Sequence, residues 1–386
     1  MASFTHTEPG AITMETASIV HQVKLPSGLP TDEDFEVTEL PLPAVADGFV
    51  AVATTIISVD PYMRPRMGAW KGAKTPPTVF GGGSIGKVTE SKAEGFSEGD
   101  LVIGMWGWAD RAVCKAENIR KLGPHALAVP SSALNLYGSN GLTAYMGVEQ
   151  IMKPKEGETV YVSGGAGSVG AVVGMLTKRR QNNITLIGSA GSASKLEYML
   201  SIGYDEVFNY KEETVPAALK RLAPKGIDCY FDNVGGDTAL AAVHKMNSGG
   251  RIAVCGAIHV YNAKNMYRKI GSKILFGSPF EIGLRKTIMM DFPLSIGKAY
   301  GGPQPEKTIS LSGGRKITWK AFTVGAFYVS KEGREAEIKI AEWVKDGSLP
   351  NAGREDVVKG SLKDLPRTFA RMLSGGNNGK QVLELV

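Results

Sequence analysis

The chain has little of what metal or disulfide chemistry needs: in 386 residues there are three cysteines and five histidines. Cys114, Cys229 and Cys255 are far apart and odd in number, which excludes a disulfide framework and fits a reducing compartment, so a cytoplasmic location is expected. A catalytic zinc needs three protein ligands and a closed structural zinc four. Residues 1–137 offer Cys114, His6, His21 and His125, with no pair at ligand spacing, so the expected metal count is none. Long hydrophobic runs are also missing, and nothing approaches the roughly 18 residues of a membrane span. Residues 1–16 carry Glu8 and Glu15 but no Lys or Arg, unlike a signal or transit peptide, and read as a disordered lead-in. Neither sign of charge is in large excess. Lys and Arg number 44 against 38 Asp and Glu, with no dense basic run, so neither nucleic acid nor membrane is an expected partner.

What is present begins at residues 159–174, T-V-Y-V-S-G-G-A-G-S-V-G-A-V-V-G. A β-branched and aromatic run predicts a buried strand, and Val169, Val172, Val173 and Leu176 follow at helical spacing. Between them Gly165, Gly167 and Gly170 spell G-x-G-x-x-G. That pattern supplies a tight turn, close backbone approach to a pyrophosphate, and close helix–strand packing. The helix N-terminus would hold the pyrophosphate on free N–H groups.

The flanking chain divides in two. Residues 17–137 are strand-rich and broken by glycine and proline, which predicts a β-rich barrel or sandwich domain. Expected strands there cover 19–23, 36–40 and 49–57. From 138 onward strands and helices alternate, as in a parallel sheet with helical crossovers. Six strands are expected, at 159–163, 184–188, 206–208, 227–231, 251–255 and 321–328, with helices over 192–202, 237–246 and 333–344. The fold class is α/β, a Rossmann-type doubly wound sheet beside a β-rich domain. Expected boundaries are 138–347 for the nucleotide domain and 1–137 with 348–386 for the other.

The second strand end speaks to the cofactor. An NAD site commonly places an acid about 20 residues past the glycines, yet no Asp or Glu occurs between Gly170 and Glu197. Ser189, Ser192, Ser194 and Lys195 stand there instead and suit a 2′-phosphate, which favours NADPH. Asp232-Asn233-Val234-Gly235-Gly236 and Cys255-Gly256-Ala257 follow strands and should face the nicotinamide. Tyr62, in V-D-P-Y-M-R, and Tyr261, beyond Ile258, are phenols placed to assist an oxygen that gains charge.

Together these strings resemble the zinc-free medium-chain dehydrogenase/reductases, specifically the alkenal/one oxidoreductases, also called alkenal double-bond or prostaglandin reductases. The matching stretches are Gly28-Leu29-Pro30-Thr31, Ser58 to Arg64, Gly141-Leu142-Thr143-Ala144-Tyr145, the glycine loop, Phe208-Asn209-Tyr210-Lys211, Asp228 to Gly236, Cys255 to Asn262, and Asn377 to Lys380. The resemblance implies a GroES-like β-rich catalytic domain, NADPH as cofactor, and reduction of the C=C bond of α,β-unsaturated aldehydes or ketones. It places Gly167, Ser168, Val169 and Gly170 on the pyrophosphate, and Lys195 and Tyr210 on the 2′-phosphate. Asn233, Cys255, Gly256, Ala257, Ile258, Tyr261, Phe322, Thr323 and Val324 would line the nicotinamide side, and Asn377 would close over the cofactor. Tyr62 and Tyr261 would be the catalytic pair, and a homodimer is expected. Quinone or carbonyl reduction, or cofactor binding without catalysis, stand as the alternatives. The chain departs from the family between Asn262 and Ala321, where a longer connection carries Lys269, Lys273, Ile274, Leu275, Phe276, Phe280, Arg285 and Lys286. It is read as a substrate lid, a dimer contact or a disordered surface insertion.

Overall fold

The computed structural model describes residues 15–67, 80–262, 284, 287–288, 304–351 and 353–386. The residues singled out in the long connection, from Lys269 to Lys286, lie outside these.

The chain starts in an antiparallel ribbon of β1 (Thr16–Gln22) and β2 (Phe35–Pro41). A second sheet follows, from β3 (Phe49–Ser58), β4 (Ser84–Ser91), β5 (Leu101–Gly104), β6 (Arg111–Lys115) and β7 (Ile119–Lys121). Glycine and proline turns keep these strands short and locally paired, so neighbours are antiparallel.

Helix α1 (Ser139–Tyr145) opens the nucleotide half. Next come β8 (Thr159–Val162), α2 (Ser168–Arg180), β9 (Thr185–Ala190), α3 (Ala193–Ser201) and β10 (Glu206–Asn209). The second set is α4 (Val215–Leu222), β11 (Ile227–Asp232), α5 (Gly236–Lys245) and β12 (Met246–Val254). The strand order is β10-β9-β8-β11-β12-β14-β13, parallel except for the edge strand β13 (Lys307–Ser310), which runs antiparallel to β14 (Lys316–Ala321). This is a doubly wound arrangement whose order reverses between β8 and β11. Helices cover both faces, which explains why Val160–Val162 of β8 and Cys229–Phe231 of β11 run without polar alternation. Val160, Tyr161, Val162, Tyr230 and Phe231 are fully buried, and the two tyrosine rings stack at 5.1 Å.

Two expectations are corrected here. A strand over 321–328 does not form: the strand is β14, which ends at Ala321, and Gly325–Val329 is a short helix. Ala321 pairs with Val254, the last residue of β12, so beyond it the chain has no ladder partner. Among the described residues the sheet has seven strands rather than six, because β13 adds an antiparallel edge.

Helix α6 (Lys331–Lys345) then leads the chain out, and β15 (Glu355–Gly360), α7 (Leu365–Leu373) and β16 (Lys380–Leu385) return it to the first sheet. β16 inserts between β15 and β3. A buried ion pair fastens this return. Lys380 is 1% exposed, and its Nζ donates to Asp60 Oδ1 at 2.5 Å and to the Val59 carbonyl at 3.2 Å. Ser58 Oγ donates to the other oxygen of Asp60. Among the described residues no helix is long and apolar enough to cross a membrane.

Removing one partner of a buried pair leaves an uncompensated charge and costs about 3–5 kcal/mol. Lys380→Met is expected to lose about that much in urea unfolding at pH 7, and Lys380→Met combined with Asp60→Asn to regain most of it. Equal losses in both proteins would mean that the pairing of charge is not what holds the strand.

Candidate active site

A cleft of about 1390 Å³ runs between the two sheets. Its floor is the turn from β8 into α2. Gly164 takes φ +64°, the left-handed conformation that favours glycine, so the tight turn belongs to Gly164, one residue before the expected Gly165. Gly165 serves packing: a Cβ there would come within 2.5 Å of Met199 Cε and 3.1 Å of the Tyr204 hydroxyl. At Gly170 a Cβ would stand 2.3 Å from the Gly164 carbonyl, so the helix can approach its own turn only without a side chain. At Gly167 the nearest atom to such a Cβ is the Gly164 carbonyl at 3.2 Å. Gly167 is also the N-cap of α2 and supplies no capping side chain, so the first N–H groups of that helix are left for an anion.

Ser168 does not cap its own helix either. Its hydroxyl donates to Asn135 Oδ1 at 2.9 Å and accepts from Asn140 Nδ2, fixing α2 against α1. With the hydroxyl engaged in this way, what Ser168 leaves toward the cleft is its backbone N–H.

The far end of the cleft is cationic. Lys195, Tyr210, Ser189, Ala190 and Gly191 line it, with no acid among them. Burial lowers the Lys195 ammonium below its ordinary value, and Lys211 and Arg371 lower it further, against an opposing pull from Asp356. Lys211 and Arg371, the latter paired with Asp356 at 2.8 Å, bear on Lys195 from two sides, and an anion there would be welcome. Lys195 Nζ meanwhile donates to the Gly375 carbonyl at 2.8 Å, and Gly379 bridges to Gly167, so the C-terminal segment lies across the nucleotide loop. Asn377 lines the cleft on this segment, its Nδ2 donating to the Gly379 carbonyl at 2.8 Å.

At the strand ends, Asp232 organises the D-N-V-G-G turn. Its Oδ1 accepts from Tyr230 Oη at 2.7 Å and from the N–H groups of Gly235 (2.7 Å) and Val234 (3.0 Å). Burial raises its carboxyl above the ordinary range despite these donors. Asn233 is spent on the same scaffold, its Nδ2 donating to the Ser163 carbonyl at 2.8 Å. Beside it, burial first and Asp232 second push the Cys255 thiol up to about 12, so it stays neutral.

The two tyrosines come from opposite walls. Tyr62 caps the short helix Met63–Arg66 and packs over Gly82, where a Cβ would lie 2.1 Å from its hydroxyl. Tyr261 ends the helical turn Ile258–Tyr261, and its Oη receives the Ala257 N–H at 3.4 Å. Both line the cleft.

Of the residues picked from sequence, Tyr62, Gly167, Ser168, Val169, Gly170, Lys195, Tyr210, Asn233, Cys255, Gly256, Ile258, Tyr261, Phe322, Thr323, Val324 and Asn377 line this one cleft. Gly165 and Ala257 lie behind it. Phe322, Thr323 and Val324 sit in the connection after β14 rather than within a strand. Gly164, Lys211, Arg371 and Asp232 were not picked. The doubled glycine after Ser163 was a signal for the first and Lys211 stood inside a quoted string, but nothing local brings Arg371 to Lys195.

Residues 20–122 match the family model described as "N-terminal domain of oxidoreductase", and residues 168–278 the one described as "Zinc-binding dehydrogenase". Among the described residues no group of three His, Cys, Asp or Glu could hold a metal ion. The chain is 35% identical over 357 residues to prostaglandin reductase 1 of Oryctolagus cuniculus, covering 92% of this chain and 89% of that protein. It is 40% identical over 247 residues to the NADP+-dependent 2-alkenal reductase of Nicotiana tabacum, covering 61% of this chain and 71% of that one. The crystal structure of CurA from Vibrio vulnificus in complex with NADPH matches with a TM-score of 0.75 at 29% identity, over 96% of this chain and 99% of that one. The chain therefore belongs to the medium-chain dehydrogenase/reductase family of oxidoreductases, with the prostaglandin and 2-alkenal reductases among its relatives.

Proposed function

We propose that this protein reduces the carbon–carbon double bond of α,β-unsaturated ketones and aldehydes with NADPH. The observation that carries the reading is the pairing, in one cleft, of two phenols with a cationic end at Lys195. Its relatives named as alkenal and prostaglandin reductases support the same chemistry.

The residues present fit NADPH. The uncapped N–H groups of α2 and the side-chain-free edge at Gly167 suit the pyrophosphate, and Lys195, Lys211 and Tyr210 suit the 2′-phosphate. When bound, NADPH supplies a hydride. The chain's own task is then at the substrate oxygen, which gains negative charge as the β-carbon is reduced. Tyr62 and Tyr261 offer phenolic O–H groups to that oxygen, and donors fixed before the reaction stabilise the charge without reorganising. The phenols are rigidly placed, by packing over Gly82 and by the Ala257 N–H. The Asp232 network holds the strand ends so that Cys255, Gly256 and Ile258 form a fixed wall. Water then gives a proton to the α-carbon, which completes the addition of hydride and proton across the double bond.

Monitoring NADPH oxidation with a panel of enones, quinones and ketones, and identifying products by NMR, tests the assignment. A saturated ketone from an enone supports it, and an allylic alcohol or inertness to every enone overturns it. Within the active protein, Tyr261→Phe is expected to lower kcat about tenfold, the ~1.4 kcal/mol of one lost donor, with NADPH Kd unchanged. Wild-type rates in both Tyr62→Phe and Tyr261→Phe would remove the phenols from the mechanism.

Lys195→Ala is expected to raise the KM for NADPH about tenfold or more while leaving that for NADH nearly unchanged. Equal changes for both cofactors would place Lys195 away from the 2′-phosphate.

A further inference from the structure

Arg64 lies outside the cleft wall, yet three separated stretches of chain meet at it. It belongs to the helical turn Met63–Arg66, which Tyr62 caps. Its side chain is buried and its hydrogen bonds go to neutral oxygens. Nη2 donates to the Gly28 carbonyl at 2.8 Å and the Pro26 carbonyl at 3.4 Å. Nε donates across the domain boundary to Asn262 Oδ1 at 3.1 Å. Asn262 directly follows Tyr261.

A guanidinium is a rigid fork, so donors engaged at two ends fix the plane of the whole group. Here one end is fixed to the backbone of residues 26–28 and the other to the nucleotide domain. Burial depresses the Arg64 pKa, with Asp34 opposing at longer range, so each acceptor offered to it matters.

The partner turn needs the support. Ile258–Tyr261 is four residues long, too short to be stable alone. Its start is held by the Ile258 N–H on the Asn233 carbonyl at 3.4 Å and the His259 N–H on the Val234 carbonyl at 3.2 Å. Its end, at Asn262, is held by Arg64. One hydrogen bond thus ties the turn carrying Tyr62 to the turn carrying Tyr261.

We propose that Arg64 and Asn262 are positioning residues that set the separation of Tyr62 and Tyr261 across the cleft. The inference rests on the enone-reductase reading for its kinetic consequence, and stands on geometry for its structural one. Small misplacements of groups that must meet one atom are costly in rate. The pyrophosphate and 2′-phosphate anchors lie on other elements, at α2 and Lys195, so overall affinity for the nucleotide should change little.

Asn262→Ala tests this, because the side chain is removed from a partly exposed position without disturbing the Arg64 bonds to residues 26–28. It is expected to lower kcat about tenfold with the KM for enone and the Kd for NADPH within about twofold. Asn262→Asp keeps the acceptor oxygen and should restore most of the rate. In the NADPH-bound protein, hydrogen exchange of the amides from Ile258 to Asn262 should quicken about tenfold in Asn262→Ala and return toward wild type in Asn262→Asp. Unchanged kcat and unchanged exchange in Asn262→Ala would each overturn the proposal, as would equal losses in the Ala and Asp variants. If the wild-type protein reduces no enone, the function assigned above fails while the exchange comparison still decides the clamp.

Discussion

The buried contact between Lys380 and Asp60 is the constraint on which the two-sheet arrangement depends. The chain leaves the first sheet after β7, builds the whole nucleotide domain, and must return its last strand to a slot between β15 and β3. β-Pairing alone tolerates slippage by two residues, since the side-chain period is two. An ammonium that is 1% exposed and can be satisfied at one place does not. By seating Lys380 against Asp60, the fold sets the register of β16 and at the same time orients the turn that carries Tyr62. The C-terminal segment that crosses the nucleotide loop is positioned by the residue immediately after it.

The cleft that results is electrically divided. At one end Lys195 lines the wall with Lys211 and Arg371 behind it, and their positive field outweighs the pull of Asp356 on Lys195. At the other stand two phenols and a thiol kept protonated by burial and by Asp232, with the Lys380–Asp60 pair and the Arg66 guanidinium beside Tyr62. The separation suits a ligand that is anionic at one end and redox-active at the other.

Much of this was legible in the sequence, and the reasons differ by element. The β8–loop–α2 unit was readable because a strand buried on both faces must be apolar throughout and because the glycines answer local steric demands. Lys195 was readable through the missing acid after β9. The strand expected over 321–328 was not there, although Phe322, Phe327, Tyr328 and Val329 look like strand residues. What stops it is the end of β12 at Val254, a fact about a partner far away in sequence. Arg371 and Lys211 converge on Lys195 for the same non-local reason. The glycine loop was read one residue out of phase: its left-handed residue is Gly164, and Gly165 makes room for side chains that come from beyond α3 and from within it.

Those side chains give the nucleotide fingerprint a second meaning. Tyr204 is buried, its hydroxyl donates to the Gly170 carbonyl at 2.7 Å, and its ring occupies the space that Cβ atoms would need at Gly174 and Gly188 as well as crowding Gly165. Part of the glycine pattern is therefore the imprint of a tyrosine rather than of a cofactor. A route of change that keeps nucleotide binding is open at these positions only if Tyr204 shrinks first. Residues that never touch the ligand can in this way be held as tightly as those that do: a smaller residue at 204 would free Gly174, while Gly165 and Gly188 would still meet Met199 Cε.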